Sequence, residues 1–187
     1  GGKISYNRGN SLGGGIYLYC LNNSSYVTKI SNCIISNNSS GTGGGINVAR
    51  CLVTLDGVEI INNKASSGSA ISNINPENKI TLKNTIIMNN ETTNKGYYAI
   101  QTISGSDNFE AYISIGNKVL ITNNINSAES KEKNLYVSND SSNLHRMELL
   151  EYAPESRIGI TPESDFIIDF YSIASSQNDL KTIASIF

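Results

Sequence analysis

A handful of side chains in this sequence could do chemistry, and their spacing decides which chemistry. Asp56 and Lys83 fall at the same point of two successive repeats, so an acid stands beside a base. Such a pair could share acid and base work in polysaccharide cleavage, or it could be an ion pair on the surface of neighbouring coils, which is the plainer reading. Glycoside hydrolysis asks for two carboxylates flanking one bond, and Asp107 and Glu110 sit in an insertion with no partnering column, so no such constellation emerges. His145 is the single histidine, has no Gly-x-Ser-x-Gly motif to work with, and reads as a solvated residue. Turn oxygens of Asn and Asp could attract calcium, but there is no EF-hand loop and no Gly-Gly-x-Gly-x-Asp repeat; neither a metal nor a cofactor is assigned. Cys20, Cys33 and Cys51 match no metal-ligand spacing and read as unpaired thiols filling core positions. Cys20 and Cys51 each follow a Gly-Gly-Ile by a few residues, which leaves open a disulfide between successive coils.

The elements that would position these groups come from a repeat. Ile60-Ile61-Asn62-Asn63 is echoed by Ile4-Ser5-Tyr6-Asn7, Ile35-Ser36-Asn37-Asn38, Ile87-Met88-Asn89-Asn90 and Ile121-Thr122-Asn123-Asn124. The shared form is Ile-x-x-Asn. Its copies start at residues 4, 35, 60, 87 and 121, so successive steps are 31, 25, 27 and 34 residues. A second signature alternates with it: Gly14-Gly15-Ile16, Gly44-Gly45-Ile46, Ser69-Ala70-Ile71 and Tyr98-Ala99-Ile100. Periods of this size predict a solenoid. Within each repeat apolar residues alternate with polar ones, as Val53 and Leu55, then a turn at Asp56-Gly57, then Val58 and Ile60. Three short strands per turn, the third being the Gly-Gly-Ile segment, predict an all-β, right-handed parallel β-helix of about five coils with a C-terminal cap. Residues 1–133 are expected to form the coils, and 134–187 a closing coil and cap of the same domain. The recurring asparagines Asn7, Asn38, Asn63, Asn90 and Asn124 are expected to stack as a ladder, because Asn tolerates a left-handed corner and its amide both donates and accepts.

Composition narrows the partners. With 14 Lys and Arg against 16 Asp and Glu over 187 residues, the formal charge is −2, and no basic run offers a footprint for nucleic acid or an anionic membrane. No apolar run approaches the roughly 18 residues of a membrane span, so no direct insertion is expected of this stretch. The chain starts without Met inside what reads as the end of a coil, and is taken as a piece of a longer protein, for which a missing leader says nothing about export.

The paired motifs Gly-Gly-x-Ile and apolar-x-x-Asn resemble the repeats of polymorphic outer-membrane proteins of the chlamydial type, written GGAI and FxxN, with Ile here in place of the preferred Phe. More widely the chain is similar to adhesin-like β-helix repeat proteins of bacterial surfaces, and Asn134-Leu135-Tyr136-Val137 with Ser156 to Thr161 looks like their closing coil. The resemblance covers residues 1 to about 161. It implies a secreted or surface-anchored bacterial protein that binds a host-surface protein, a cell or a polysaccharide through its loops, without catalysis. Two other readings stand beside it: a polysaccharide lyase or glycoside hydrolase, and a structural stalk or spacer. The insertions 21–26, 75–78, 104–108 and 128–133, and tyrosines such as Tyr97 and Tyr98, are the expected contact points.

One column departs from the alternation. Ile34, Glu59, Ile86 and Leu120 each precede the inward Ile, so they should point outward, yet three of the four are apolar. This face is expected to pack against the tail around residues 166–170 or to contact another molecule.

Overall fold

A computed structural model describes residues 1–20, 27–73, 79–102, 111–137, 145–152 and 156–162, of which 111–112, 136–137, 145–152 and 160–162 are described by their backbone. The tail expected to add a strand at 166–170 and a helix at 178–187 lies outside the described residues, as do the insertions 21–26, 75–78 and 104–108. The described residues are all β and contain no helix.

The strands follow one another coil by coil. A partial first coil holds β1 (Gly2–Ser5) and β2 (Ile16–Tyr19). Then come β3 (Val27–Ser36), β4 (Ser39–Thr42) and β5 (Ile46–Ala49); β6 (Leu52–Ile61), β7 (Lys64–Ser67) and β8 (Ile71–Asn73); and β9 (Lys79–Met88), β10 (Glu91–Thr92) and β11 (Ile100–Thr102). The next turn runs through β12 (Ala111–Thr122), β13 (Ile125–Asn126), β14 (Lys131–Glu132) and β15 (Leu135–Val137). β16 (His145–Tyr152), β17 (Arg157–Ile158) and β18 (Ile160–Pro162) finish the stack. The three coils beginning at β3, β6 and β9 each contribute one strand to each of three sheets, and the end turns contribute unevenly: sheet A has the order β1-β3-β6-β9-β12-β16, with β17 also on β12; sheet B the order β4-β7-β10-β13-β14; and sheet C the order β2-β5-β8-β11-β15-β18. Every pairing is parallel except β13 with β14. The chain is therefore a parallel β-helix. Three coils, those beginning at β3, β6 and β9, have parallel partners above and below on all three sheets, slightly fewer than the expected five.

The register follows the repeat. Ile4, Ile35, Ile60, Ile87 and Ile121 stand opposite one another along sheet A, and Ile16, Ile46, Ile71, Ile100 and Leu135 along sheet C. Ile35, Ile60, Ile87 and Ile121 are completely buried. Burying each such side chain stabilises by about 1.5–3 kcal/mol, and a one-residue slip would turn the whole column to solvent, so the register is held by the core.

The strand assignment differs from expectation in one respect. The two strands expected on either side of the Asp56-Gly57 turn are one long strand of sheet A, bent at a single left-handed residue. That residue is Asn32, Gly57, Asn84 or Asn117 in successive coils, with φ between 48° and 67°. The third sheet is the polar stretch just after the ladder, Lys64–Ser67 and its equivalents, which carries no apolar alternation to betray it.

Glycine resolves two different constraints at the corner into sheet C. Gly43 has φ 69°, a conformation in which a side chain is strained. Gly44 lies so close to the next coil that an added Cβ would meet the Ser69 carbonyl oxygen at 2.5 Å.

The cysteines correct an expectation. Cys20 and Cys51 form a disulfide with Cα atoms 5.2 Å apart, joining the first two turns. Cys33 is the one free thiol, half-buried in the inward column beside Val58, and burial raises its pKa, which disfavours the thiolate.

Candidate functional site

The asparagine corner is the most constructed polar feature of the molecule, and it divides labour between adjacent residues. The first residue of each pair takes the left-handed corner: Asn37, Asn62, Asn89 and Asn123 have φ of 55–57°, and Tyr6 takes the same place at 59°. The second turns its amide inward. Asn38, Asn63, Asn90 and Asn124 are at most 1% exposed, so their polar atoms need partners within the protein.

Each finds them in the next coil. The Nδ2 groups of Asn7, Asn38, Asn63 and Asn90 donate to the Oδ1 of Asn38, Asn63, Asn90 and Asn124 at 2.8–3.0 Å. The same Oδ1 atoms accept from the backbone N–H of the donating residue at 2.9–3.0 Å. The second hydrogen of each buried amide is given backwards: Asn38 donates to the Ile4 carbonyl, Asn63 to Ile35, Asn90 to Ile60 and Asn124 to Ile87, at 2.9–3.1 Å. The amide-to-amide bonds all point one way along the stack, an arrangement in which each bond polarises the next.

A sixth member lies outside the repeat. Asn124 donates from N and Nδ2 to Asn134 Oδ1 at 3.1 and 2.8 Å. Asn134 stands opposite Ala99 in the small-residue column of sheet C, and its side chain fills the place a further Ile-x-x-Asn would have taken. Its Nδ2 then donates to Glu132 Oε1 at 2.8 Å, so the ladder ends on a carboxylate. Only the position of Asn134 just ahead of Leu135, an inward residue in the Gly-Gly-Ile column, could have hinted at this.

The acid and base of the repeat form no ion pair with each other. Asp56 and Lys83 are opposite in register, but the Asp56 carboxylate accepts from Asn84 Nδ2 at 3.0 Å and pairs with Lys29 Nζ at 3.2 Å, on the other side. Those two contacts hold its carboxyl below the usual carboxylate range, so it keeps no proton to give to a leaving group. Opposite Lys83 in the next coil is Gly116, because β12 bulges between Gly116 and Val119. The backbone of His145 opens β16, while Asp107 and Glu110 lie outside the described residues. Among the described residues no group of three or more His, Cys, Asp or Glu could hold a metal.

The outward apolar column is in register, Lys3-Ile34-Glu59-Ile86-Leu120-Arg157, and Ile34, Ile86 and Leu120 are half-buried. Tyr98 corrects another expectation: it is 3% exposed, with the Lys133 ammonium 4.8 Å from its ring centre, whereas Tyr97 is exposed. The insertion at 128–133 is a turn followed by β14, which folds back on β13 and covers the edge of sheet B.

A groove of about 320 Å3 crosses the outer face of sheet B. It is lined chiefly by Asn10, Ser39, Ser40, Ser66 and Thr93, with Arg8 and Lys64 as its charged members. Lys64 is neutralised by Glu91 at 2.7 Å, which in turn holds the Glu91 carboxyl low. Arg8 is exposed and makes no side-chain hydrogen bond or ion pair. Hydroxyls, one amide and one free guanidinium on a stiff sheet are suited to a hydroxyl-rich or anionic ligand.

The fold and the ladder together define the class, a parallel β-helix with an internal asparagine ladder. No family model, curated protein or solved structure matches the chain.

Proposed function

We propose that the chain is a non-catalytic, adhesin-like binding scaffold of a secreted or cell-surface protein, and that a polysaccharide is held in the groove on sheet B. The observation that carries the reading is the groove itself: side-chain hydroxyls on neighbouring coils about 4.8 Å apart, beside the Asn10 amide and an unpaired Arg8. Sugars offer hydroxyls at comparable spacing and, in uronates or sulfated chains, an anion for the guanidinium. The disulfide supports a compartment outside the reducing cytosol.

The test is a glycan-array screen of the purified chain, beside an assay for new unsaturated or reducing ends on whatever binds. Binding without product, weakened about tenfold or more by Arg8→Ala with an unchanged melting temperature, is the expected result. Product formation would replace this reading with a lyase or hydrolase. Binding to neither glycans nor host-matrix proteins would leave a spacer.

A further inference from the structure

The residue after each ladder asparagine faces out of the coil, because the asparagine faces in and side chains alternate along a strand. These residues are Arg8, Ser39, Lys64, Glu91 and Ile125, in register along sheet B. The ladder corner fixes their spacing. The backbone N–H groups of Ser39, Lys64, Glu91 and Ile125 donate to the carbonyls of Asn7, Asn38, Asn63 and Asn90 at 2.8–2.9 Å, and neighbouring strands lie about 4.8 Å apart. Along the stack the column runs cation, hydroxyl, cation, anion, apolar. Its first three members line the groove, whose remaining side chains are uncharged. The charge a ligand meets therefore depends on how Arg8, Lys64 and Glu91 are paired, and they are paired unequally. Lys64 Nζ lies 2.7 Å from Glu91 Oε1. The Glu91 carboxylate also accepts from the Ser127 hydroxyl of the next coil, so the ammonium is drawn toward β10 and away from Arg8. Arg8 makes no side-chain hydrogen bond or ion pair.

We infer that Glu91 sets which polysaccharides the groove takes: by holding Lys64 it leaves one anion subsite, at Arg8, which favours chains whose anionic groups are separated by neutral sugars over chains charged at every residue. The inference rests on the reading of the groove as a polysaccharide site. A chain lying along the stack from Arg8 toward Glu91 crosses three strand spacings, about 14 Å. An anion at the Arg8 end meets an unpaired guanidinium that can bind it through two N–H groups. Further anions on the same chain meet a pair without net charge at Lys64 and, beyond it, a carboxylate of their own sign. Each is then desolvated without gaining a partner. Neutral sugars at those places carry no such penalty and find the Ser39 hydroxyl.

The experiment compares two polymers at equal uronate content: a polyuronate, and a chain in which one uronate alternates with one neutral sugar. Binding is measured by titration calorimetry to the parent chain, to Glu91→Gln and to the double variant Glu91→Gln, Lys64→Ala. The two side chains are 54% and 39% exposed, so the fold does not depend on their pairing, and an unchanged melting temperature certifies each variant. The parent should bind the alternating chain about threefold or more tightly than the polyuronate. In Glu91→Gln the polyuronate should gain about three- to fivefold, the size an exposed ion pair commands, and lose that gain as salt is added. Removing Lys64 as well should abolish it. Glu91→Ala repeats the test without an amide that could still hold the ammonium. A parent that binds the polyuronate equally or better, no gain on replacing Glu91, or a gain that survives the loss of Lys64 would overturn the inference. Failure of the underlying reading looks different: neither polymer binds, or Arg8→Ala leaves both unaffected, and the inference then falls with it.

Discussion

Removing one amide from the middle of the ladder is the sharpest test of what holds the coils together. In Asn63→Ala the backbone N–H of Asn38 loses its acceptor, the Ile35 carbonyl loses a donor, and the Nδ2 of Asn38 keeps only Ile4. The Asn38 N–H is then a buried group without a partner, at about 1–3 kcal/mol, and the Ile35 carbonyl and the Asn38 amide each lose one bond of about 0.5–1.5 kcal/mol, about 2–6 kcal/mol together, a large part of a typical total of about 5–15 kcal/mol. Guanidinium denaturation followed by circular dichroism reads this directly. Asn62→Gly supplies the contrast, since Asn62 contributes its left-handed φ of 57°, which glycine adopts freely; it should change stability by less than about 1 kcal/mol. Asn63→Asp adds a pH signature. A carboxylate still accepts from Asn38 but opposes the Ile35 carbonyl and Asn90 Oδ1, which are both acceptors, unless it is protonated. Its folded pKa is thereby raised above the unfolded value, so stability is fully present below the unfolded pKa and is lost as pH rises through the folded one. A cost below about 1 kcal/mol for Asn63→Ala, or an Asn63→Asp variant indifferent to pH, would refute the account of the ladder as a set of obligatory buried bonds.

Other expectations follow from single contacts. Reducing Cys20–Cys51, or replacing both by serine, should cost about 3–4 kcal/mol for a loop of 31 residues, seen as a lower denaturation midpoint with reductant. Tyr6→Asn should stabilise by about 0.5–1 kcal/mol, because Tyr6 holds φ 59° where the other coils use Asn; the melting temperature measures it. Gly44→Ala should destabilise by about 1–3 kcal/mol, since the new Cβ would meet backbone oxygens at 2.5 and 2.7 Å, and denaturant unfolding checks it. Asp56 has a lowered carboxyl pKa, so its contribution is present above the unfolded pKa and lost as pH falls through the folded one; the stability of Asp56→Asn should therefore fall less steeply than that of the parent chain on acidification.

Sheets A and C were legible because they are built by burial. The Ile of Ile-x-x-Asn and the Ile of Gly-Gly-Ile face the core in every coil, and the alternation around them is the imprint of that core. Sheet B left no such imprint: Ser39–Thr42 and Lys64–Ser67 are mostly small or polar, with Ala65 their one buried apolar side chain, and their strand conformation comes from stacking on neighbours. The bend within the long strands was read as a turn between two, since Asp56-Gly57 and Lys83-Asn84 have turn chemistry although only one residue leaves the strand conformation. The ladder was legible in five members and not in Asn134, which reaches it from another sheet at a separation of 10 residues. The disulfide was visible as a possibility from spacing alone, because partners one coil apart differ by a repeat length that loops alter.

The unequal finishing of the two ends also bears on how the molecule comes apart. The covalent bond between Cys20 and Cys51 lies at the end where β1 and β2 are the outermost described strands of sheets A and C, while the far end carries a folded-back strand and a carboxylate at the close of the ladder. A reductant therefore loosens one end only. Opening under reducing conditions should start at the first coil and run toward β13, coil by coil, so that the last amides to exchange are those beside Asn124 and not those at the middle of the chain.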